Sequence, residues 1–451
     1  MSLDNIVTVT ISTNAARVTR AGFGRILVLT RHNNFTPLTK LYSTKTLASD
    51  MVTDGFTAND PGYRSALAAA SANTQVPDIL IGRLLDDFDQ TFELTISGTV
   101  VPGDEYSFDV KGPGGVVTSV TYTALVADTT TDVAAALATA ATAIADLTVT
   151  NTLGVIEFAA DNSNEMFVLR NISTPSKMTF EDTTVDSSLA TEYGNIVAYN
   201  PDFYGVVLAD CRSNARVAAL GAVVQTQRRL HFAASHDDGN HDSGSTTDTA
   251  YVASNASLTR TVIIHSGDQN SDAGAAWAGE CFPFDPGSQT WRYKKLAGVA
   301  ADSLNPSQTA ALDGKNANYL IPTAGSNRTH TGVTAGGEWI DTVRGQDWFV
   351  ARLQERVVSI FNGSRKVPFT NAGIRMLQAA GEAQCEEGIG TGYFSEDSLD
   401  GEGGPPYIVT VPDVSQISAA DKAARILNGI TIQVKEAGAI HAVTYAVTIE
   451  V

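Results

Sequence analysis

Alternation with period two marks both ends of the chain. Val443, Tyr445, Val447, Ile449 and Val451 alternate with Thr444, Ala446, Thr448 and Glu450, which sets the large apolar groups on one face of a β-strand. Near the other end, Val7, Val9 and Ile11 alternate with Thr8, Thr10 and Ser12. Strands of this kind have two possible partners: a sheet of their own subunit, or a neighbour's sheet extended by strand addition. Pattern alone leaves both open.

Between the ends the apolar pattern changes three times. Arg25–Thr30 and Asp78–Leu84 (with Ile79, Leu80 and Ile81) are short apolar runs of the buried-strand type, and Pro61 opens a helix between them. The same rhythm returns at Gly205–Ala209, His231–Ala234 and Thr261–Ile264. There Ser213 caps a helix whose Val217, Leu220 and Val224 fall at helical spacing. Strand, helix, strand in this order predicts a parallel sheet with right-handed crossovers.

The last third reads as helical. Phe349, Leu353, Val357 and Ile360 form one stripe over Trp348–Phe361. A second helix spans Ile374–Cys385 and ends by Gly388. A third starts at Ser418, with Asp421 as its capping partner, and ends near Gly429. A strand at Ile430–Val434 and a turn at Ala437–Gly438 precede the terminal strand.

Residues 91–188 interrupt the two halves of the α/β pattern. They hold thirteen Asp or Glu against three Lys or Arg, a net of −10 out of −19 for the chain. Short strands (Phe92–Ile96, Val116–Thr123, Val155–Ala159, Met166–Leu169) flank an alanine-rich helix expected over Asp132–Leu147, with glycine turns between. The expected fold class is therefore mixed α/β (α+β) and multidomain. It comprises an arm at 1–20, a split α/β sheet domain at 21–90 and 189–300, an inserted acidic β-rich module at 91–188, a helix-rich domain at 301–438 and a C-terminal strand arm at 439–451. A length of 451 residues fits about three domains.

Composition removes several classes of function. Hydrophobic content of 43% and charged content of 18% describe a globular chain. No apolar run approaches the roughly 20 residues that span a bilayer. The first residues show neither a basic segment nor a hydrophobic run, so no secretory signal is expected and the protein is expected in the cytoplasm until lysis releases it. A pI near 4.7 opposes direct nucleic-acid binding. Cys211, Cys281 and Cys385 are far apart and odd in number, so reduced thiols are expected.

Searches for chemistry end without a catalytic motif. Gly314-Lys315 lacks the rest of a phosphate-binding loop, and Gly22-Phe23-Gly24 precedes a strand where a dinucleotide loop must follow one. One cluster, His236, Asp237, Asp238, His241 and Asp242, lies just past a strand end. There imidazole and carboxylate suit a divalent ion, but its glycine- and serine-rich surroundings are those of a mobile polar loop. No catalytic residue, metal site or cofactor is expected, and function must come from shape and association.

Gly337-Glu338-Trp339-Ile340-Asp341-Thr342-Val343-Arg344-Gly345-Gln346-Asp347-Trp348 resembles the hallmark of a branch of the contractile tail sheath proteins of bacteriophages, the myovirus type. So does Lys366-Val367-Pro368-Phe369-Thr370-Asn371-Ala372-Gly373-Ile374, and so does the ending Ala437-Gly438-Ala439-Ile440-His441 with its alternating strand. The resemblance is strongest from Trp339 onward and weakest in the insertion. It implies a non-enzymatic virion tail protein that polymerises as stacked hexameric rings around a tail tube. Contraction would drive the tube through the host envelope for genome ejection. It further implies assembly in the bacterial host cytoplasm, with tube, baseplate and neck or terminator proteins as partners and no direct contact with nucleic acid or membrane.

The terminal strands, through Val7, Val9, Ile11, Val443, Tyr445, Val447, Ile449 and Val451, would then pair between subunits, with hinges near Thr13–Ala16 and Glu436–Gly438. The 301–438 domain would face the tube, with Arg352, Arg356, Arg365 and Lys366 as candidate contacts, and the insertion would face outward. Each of these basic residues has an alternative reading as a solvated helix face or an intrasubunit ion pair. The rival functions are a virion adhesin or decoration protein, and an α/β enzyme using the His236–Asp242 loop.

Overall fold

The computed structural model describes residues 22–443, except 33, 59, 86–88, 113–115, 164, 166, 171–172, 174–176, 184–185, 187, 210–211, 268–270 and 324. The terminal strand residues Val7, Val9, Ile11, Tyr445, Val447, Ile449 and Val451 therefore lie outside the described residues, as does Cys211. The described chain divides into two compact units. One contains Gly22–Asp285, Gln289–Arg344 and the chain from His441; the other contains Pro286–Ser288 and Gly345–Ile440.

The larger unit is built on β1 (Ile26–Arg31), β2 (Thr39–Ser43), α1 (Leu47–Thr53), α2 (Pro61–Ala69) and β3 (Asp78–Leu84). An inserted module follows: β4 (Thr91–Ile96), β5 (Glu105–Lys111), β6 (Val117–Thr123), α3 (Thr130–Ala141), β7 (Leu147–Thr152), β8 (Val155–Ala160), β9 (Val168–Arg170) and β10 (Met178–Asp182). The α/β pattern then resumes with α4 (Leu189–Tyr199), β11 (Gly205–Leu208), α5 (Asn214–Gln225), β12 (Leu230–Ser235), α6 (Thr249–Asn255), β13 (Thr261–His265) and α7 (Ala273–Cys281). The unit continues with α8 (Pro306–Gly314), β14 (Tyr319–Thr323) and β15 (Ser326–His330).

The main sheet has the order β13-β12-β11-β1-β3-β2, parallel throughout except for the edge strand β2. Its centre is buried on both faces, which is why β1, β11, β12 and β13 read as unbroken apolar runs instead of alternating ones. Leu27 and Leu29 of β1 point to the face carrying α4 and α5, where they meet Tyr193, Ile196, Leu220 and Val224. Thr30 points to the opposite face, where α2 comes so close that a Cβ on Gly62 would sit 2.4 Å from the Thr30 methyl. Ser213 caps α5 by accepting from the Arg216 amide, as its position before the Val217, Leu220, Val224 stripe predicts.

The insertion forms two antiparallel sheets, β10-β4-β8-β7 and β6-β5-β9, around Phe92, Tyr106, Phe108, Val133, Leu137 and Phe158. Its helix opens with a Thr129–Asp132 capping box but stops at Ala141, six residues short of the Asp132–Leu147 expectation. Leu147 instead begins β7, which pairs in register with β8 from Leu147↔Ala160 to Thr152↔Val155. Alanine composition favours helix wherever packing is silent. Here the strand pairing and the burial of Leu147 outweigh that preference.

The smaller unit holds most of α9 (Ile340–Gly363) with α10 (Asn371–Gly390), β16 (Tyr407–Thr410), α11 (Ala419–Ala424) and β17 (Thr431–Val434). Helix α9 begins eight residues before the expected Trp348, and Gly345 lies inside it. A Cβ there would come within 2.2 Å of the Tyr393 ring, so the glycine serves close packing and not a turn. The Ser418 cap of α11 accepts from the Asp421 amide, but this helix ends at Ala424, where Arg425 takes a left-handed conformation at φ +58°.

Arg344 is held in the core of the larger unit by backbone carbonyls. Arg344 is 1% exposed and donates to the carbonyls of Phe23, Cys281, Phe282 and Phe284 at 2.9–3.2 Å. Its guanidinium also lies 4.8 Å over the Phe282 ring. Two of those carbonyls, Cys281 and Phe282, belong to the last residue and C-cap of α7, the negative end of that helix.

Candidate subunit-interaction site

The residues that most resemble an interaction site lie in the smaller unit. β16 and β17 pair antiparallel from Tyr407↔Val434 to Thr410↔Thr431 and form a two-stranded sheet by themselves. Val409 and Ile432 pack on α10 at Gly381, where an added Cβ would sit 3.2–3.3 Å from their side chains. Two strands alone are marginal in water, and each outer edge is a row of amides and carbonyls able to take a further strand. Among the described residues no third strand lies on either edge. The Gln378 side chain donates to Val409 O at 3.2 Å and so occupies one such position beside β16.

Next to the hairpin, α9, α10 and residues 425–432 enclose an apolar groove of about 410 Å³, lined by Leu353, Val357, Phe361, Leu377 and Ile432 among others. The stripe expected on α9 is thus real, but it is only half-buried, and Phe361 remains 52% exposed. An apolar stripe left open in this way is the kind of surface that protein interactions use.

The four basic residues considered for tube contact separate into two pairs. Arg352 donates to Glu355 at 2.7 Å, one turn along its own helix. Arg356 donates to Gln384 at 2.8 Å and also bonds Glu387. Both are held in intrasubunit pairs. Arg365 and Lys366 are exposed in the α9–α10 connection and make no ion pair among the described residues.

The His236–Asp242 loop is not the mobile segment its composition suggests. Asp238–His241 forms a 3₁₀ turn in which Asn240 is fully buried and bonds Ser235 and the Ala250 amide. Asp237 is spent on the Gly239 and Thr249 amides and on Asn214. The carbonyls of Gly239 and Asp242, with the Asp248 carboxylate, converge on the buried Lys315 ammonium at 2.7–2.8 Å. Lysine fills the position a cation would take, and no three ligating side chains converge among the described residues.

At the C-terminal end, Val443 is 67% exposed. Just before it, His441 is seated in the larger unit: Nε2 lies 2.7 Å from Thr290 Oγ1, and Tyr293 O–H donates to its carbonyl at 2.7 Å. Sequence reasoning missed this seat. Its partners, Thr290, Tyr293 and Trp339, carry no pattern that links them to a histidine about a hundred residues or more away.

Fold comparison defines the class. The chain superposes on the contracted helical sheath of the anti-feeding prophage with a TM-score of 0.52 at 10% identity, covering 99% of both chains. It superposes on the contracted sheath of an extracellular contractile injection system, PVC, with a TM-score of 0.55 at 8% identity, covering 99% of this chain and 97% of that one. At such identities the likeness establishes the fold, which is that of contractile sheath subunits. In sequence, residues 340–449 match the family described as E217 tail sheath protein gp31-like, C-terminal domain. This part of the chain is similar in sequence to a tail sheath C-terminal domain. No curated protein matches the chain in sequence.

Proposed function

We propose that the protein is the structural subunit of a contractile tail sheath, without enzymatic activity, assembling as stacked hexameric rings around a tail tube. The observation that carries this reading is the two-stranded β16–β17 sheet, whose outer edges carry no further strand among the described residues, in a chain that alternates apolar and polar residues near both termini. Strand addition matches the two: Ile6–Ser12 and Val443–Val451 of neighbouring copies extend the hairpin. About six backbone hydrogen bonds contribute roughly 0.5–1.5 kcal/mol each, while ordering an arm costs roughly 1–2 kcal/mol per residue. One arm alone binds weakly, and a lattice that engages many arms at once becomes stable.

No fuel is consumed in this reading. The extended lattice stores the work of contraction, and the baseplate releases it. The domain from 301 to 438 faces the tube, the acidic insertion faces outward and keeps tails apart, and neck or terminator proteins close the far end. The particle is a virion tail assembled in the host cytoplasm and used for genome ejection. The adhesin or decoration reading lacks a specific observation in its favour. In the enzyme reading, the His236–Asp242 loop is a compact turn whose Gly239 and Asp242 carbonyls are taken by Lys315.

The test is electron microscopy of the full-length chain beside a version truncated after Gly438. Full-length protein is expected to give striated hollow tubes or rings, and the truncation none. Equal assembly by both would overturn strand exchange through the C-terminal arm.

For the tube face, the geometry directs attention to Arg365 and Lys366, since Arg352 and Arg356 are engaged within the subunit. Reversing both charges (Arg365→Glu with Lys366→Glu) is expected to reduce tube-templated assembly about tenfold at low salt while leaving thermal stability unchanged. Undiminished co-sedimentation with tubes would remove these two residues from the interface.

A further inference from the structure

Two asparagines in the chain are followed by glycine, Asn362-Gly363 and Asn428-Gly429. Such a pair can modify itself. The glycine amide nitrogen attacks the asparagine side-chain carbonyl carbon, unhindered because glycine has no Cβ. A succinimide forms as the new C–N bond closes and the bond to the side-chain nitrogen breaks. That nitrogen leaves as ammonia, taking the proton of the backbone amide. Water then opens the ring at either carbonyl and gives aspartate or isoaspartate. The step needs a backbone amide that is exposed, free of hydrogen bonds and able to swing toward its neighbour's side chain.

The fold separates the two pairs. Asn362 and Gly363 close α9, where the ladder continues through the Ser364 amide to Ile360 O at 3.0 Å, so the Gly363 amide is committed to a helix hydrogen bond. Asn428 and Gly429 lie between α11 and β17, outside helix and strand, and both are exposed. Gly429 stands at φ +88°, and its amide donates to no acceptor among the described residues. The Asn428 side chain is held by one long bond, from Nδ2 to the Asp421 carboxylate at 3.4 Å.

We propose that Asn428 is a self-modification site whose conversion loosens the wall of the apolar groove. Leu427, Ile430 and Ile432 line that groove, and Thr431 opens β17 opposite Thr410 of β16. Aspartate at 428 replaces the donor to Asp421 with a second carboxylate, which repels it. Isoaspartate does more. The chain then runs through the side-chain carbon, which lengthens the backbone by one C–C bond, about 1.5 Å, just ahead of Ile430. Ile430 and Ile432 can no longer both keep their places in the groove and the register with β16. Where that sheet takes a neighbour's strand, modified subunits assemble less well, and this consequence alone rests on the sheath reading.

The full-length protein is held in warm, mildly alkaline buffer, digested in acid at intervals, and both pairs are followed by peptide mass spectrometry with isoaspartate detection. Asn428 is expected to convert about tenfold faster than Asn362, the equivalent of one hydrogen bond of about 1.4 kcal/mol at the Gly363 amide. Equal rates, or a faster Asn362, would overturn the site. Asn428→Gln keeps an amide donor but must close a larger ring, so it resists conversion. After ageing, the wild type is expected to bind about twice as much apolar dye as when fresh, and Asn428→Gln no more than when fresh. A rise in both proteins, or in neither, would overturn the loosening. Fresh protein that forms no polymer even on tail tubes would sink the sheath reading while leaving both free-chain results in place.

Discussion

Replacing Arg344 with alanine is expected to lower the free energy of unfolding by roughly 3–5 kcal/mol, a large part of the stability of a typical domain. The side chain is buried, and its loss removes the guanidinium donors of the Phe23, Phe282 and Phe284 carbonyls and one of two side-chain donors to the Cys281 carbonyl, the other being Gln289. A buried acceptor left unpaired costs roughly 1–3 kcal/mol, and the cavity adds to it. Lysine keeps the charge but has three donors on a point-like head. Arg344→Lys is therefore expected to recover only part of the loss. Urea denaturation of the three proteins checks this, and equal midpoints would show that the carbonyls find other donors. Burial already pushes the Arg344 pKa down to about 10, with nearby Tyr204, Cys281 and Asp285 acting in the opposite direction. The cluster therefore spends desolvation energy to hold the charge, and its return is the joining of the chain at Phe23 to the C-terminal end of α7.

Mild acid is expected to produce the second large effect. His231 is fully buried on β12, neither ring nitrogen has a partner among the described residues, and burial pulls its pKa down to about 3. His265 at the end of β13 is 1% exposed and is also pulled down to about 3, first by burial and then by His241 and His236. Its Nε2 faces His241 Nδ1 at 3.4 Å, a pairing that admits one proton and repels two. In the unfolded chain each imidazole titrates near 6.5. The unfolded state therefore takes up protons first, so stability is full above about pH 6.5 and falls progressively toward pH 3. Each pKa unit corresponds to about 1.4 kcal/mol, so the two groups together can remove several kcal/mol across that window. Thermal melts from pH 7.5 to 4 check the slope. His231→Leu, which needs no proton and no partner, is expected to flatten the slope and raise the midpoint at pH 5. An unaltered slope would assign the acid sensitivity to other groups.

Local rules determined much of this protein from sequence. Short apolar runs, helical spacing and capping residues marked the parallel strands, the Ser213 and Ser418 caps and the α9 stripe, because such features depend on neighbours within one turn or one short run. The motifs from Trp339 onward pointed to the tail sheath family, and residues 340–449 match it. Long-range geometry decided the rest. Helix α3 yields to β7 because β8 is there to pair with it, and Gly345 stays inside α9 because Tyr393 crosses it. The His236–Asp242 loop is closed by Lys315, some seventy residues away, although its composition reads as mobile and ion-binding. Arg352 and Arg356, candidates for a partner surface, pair with Glu355 and Glu387 within the subunit. A charge or a glycine carries no record in sequence of what it will face. That is settled only when distant segments come within a few ångströms, where a hydrogen bond or a missing Cβ is worth a kilocalorie or more.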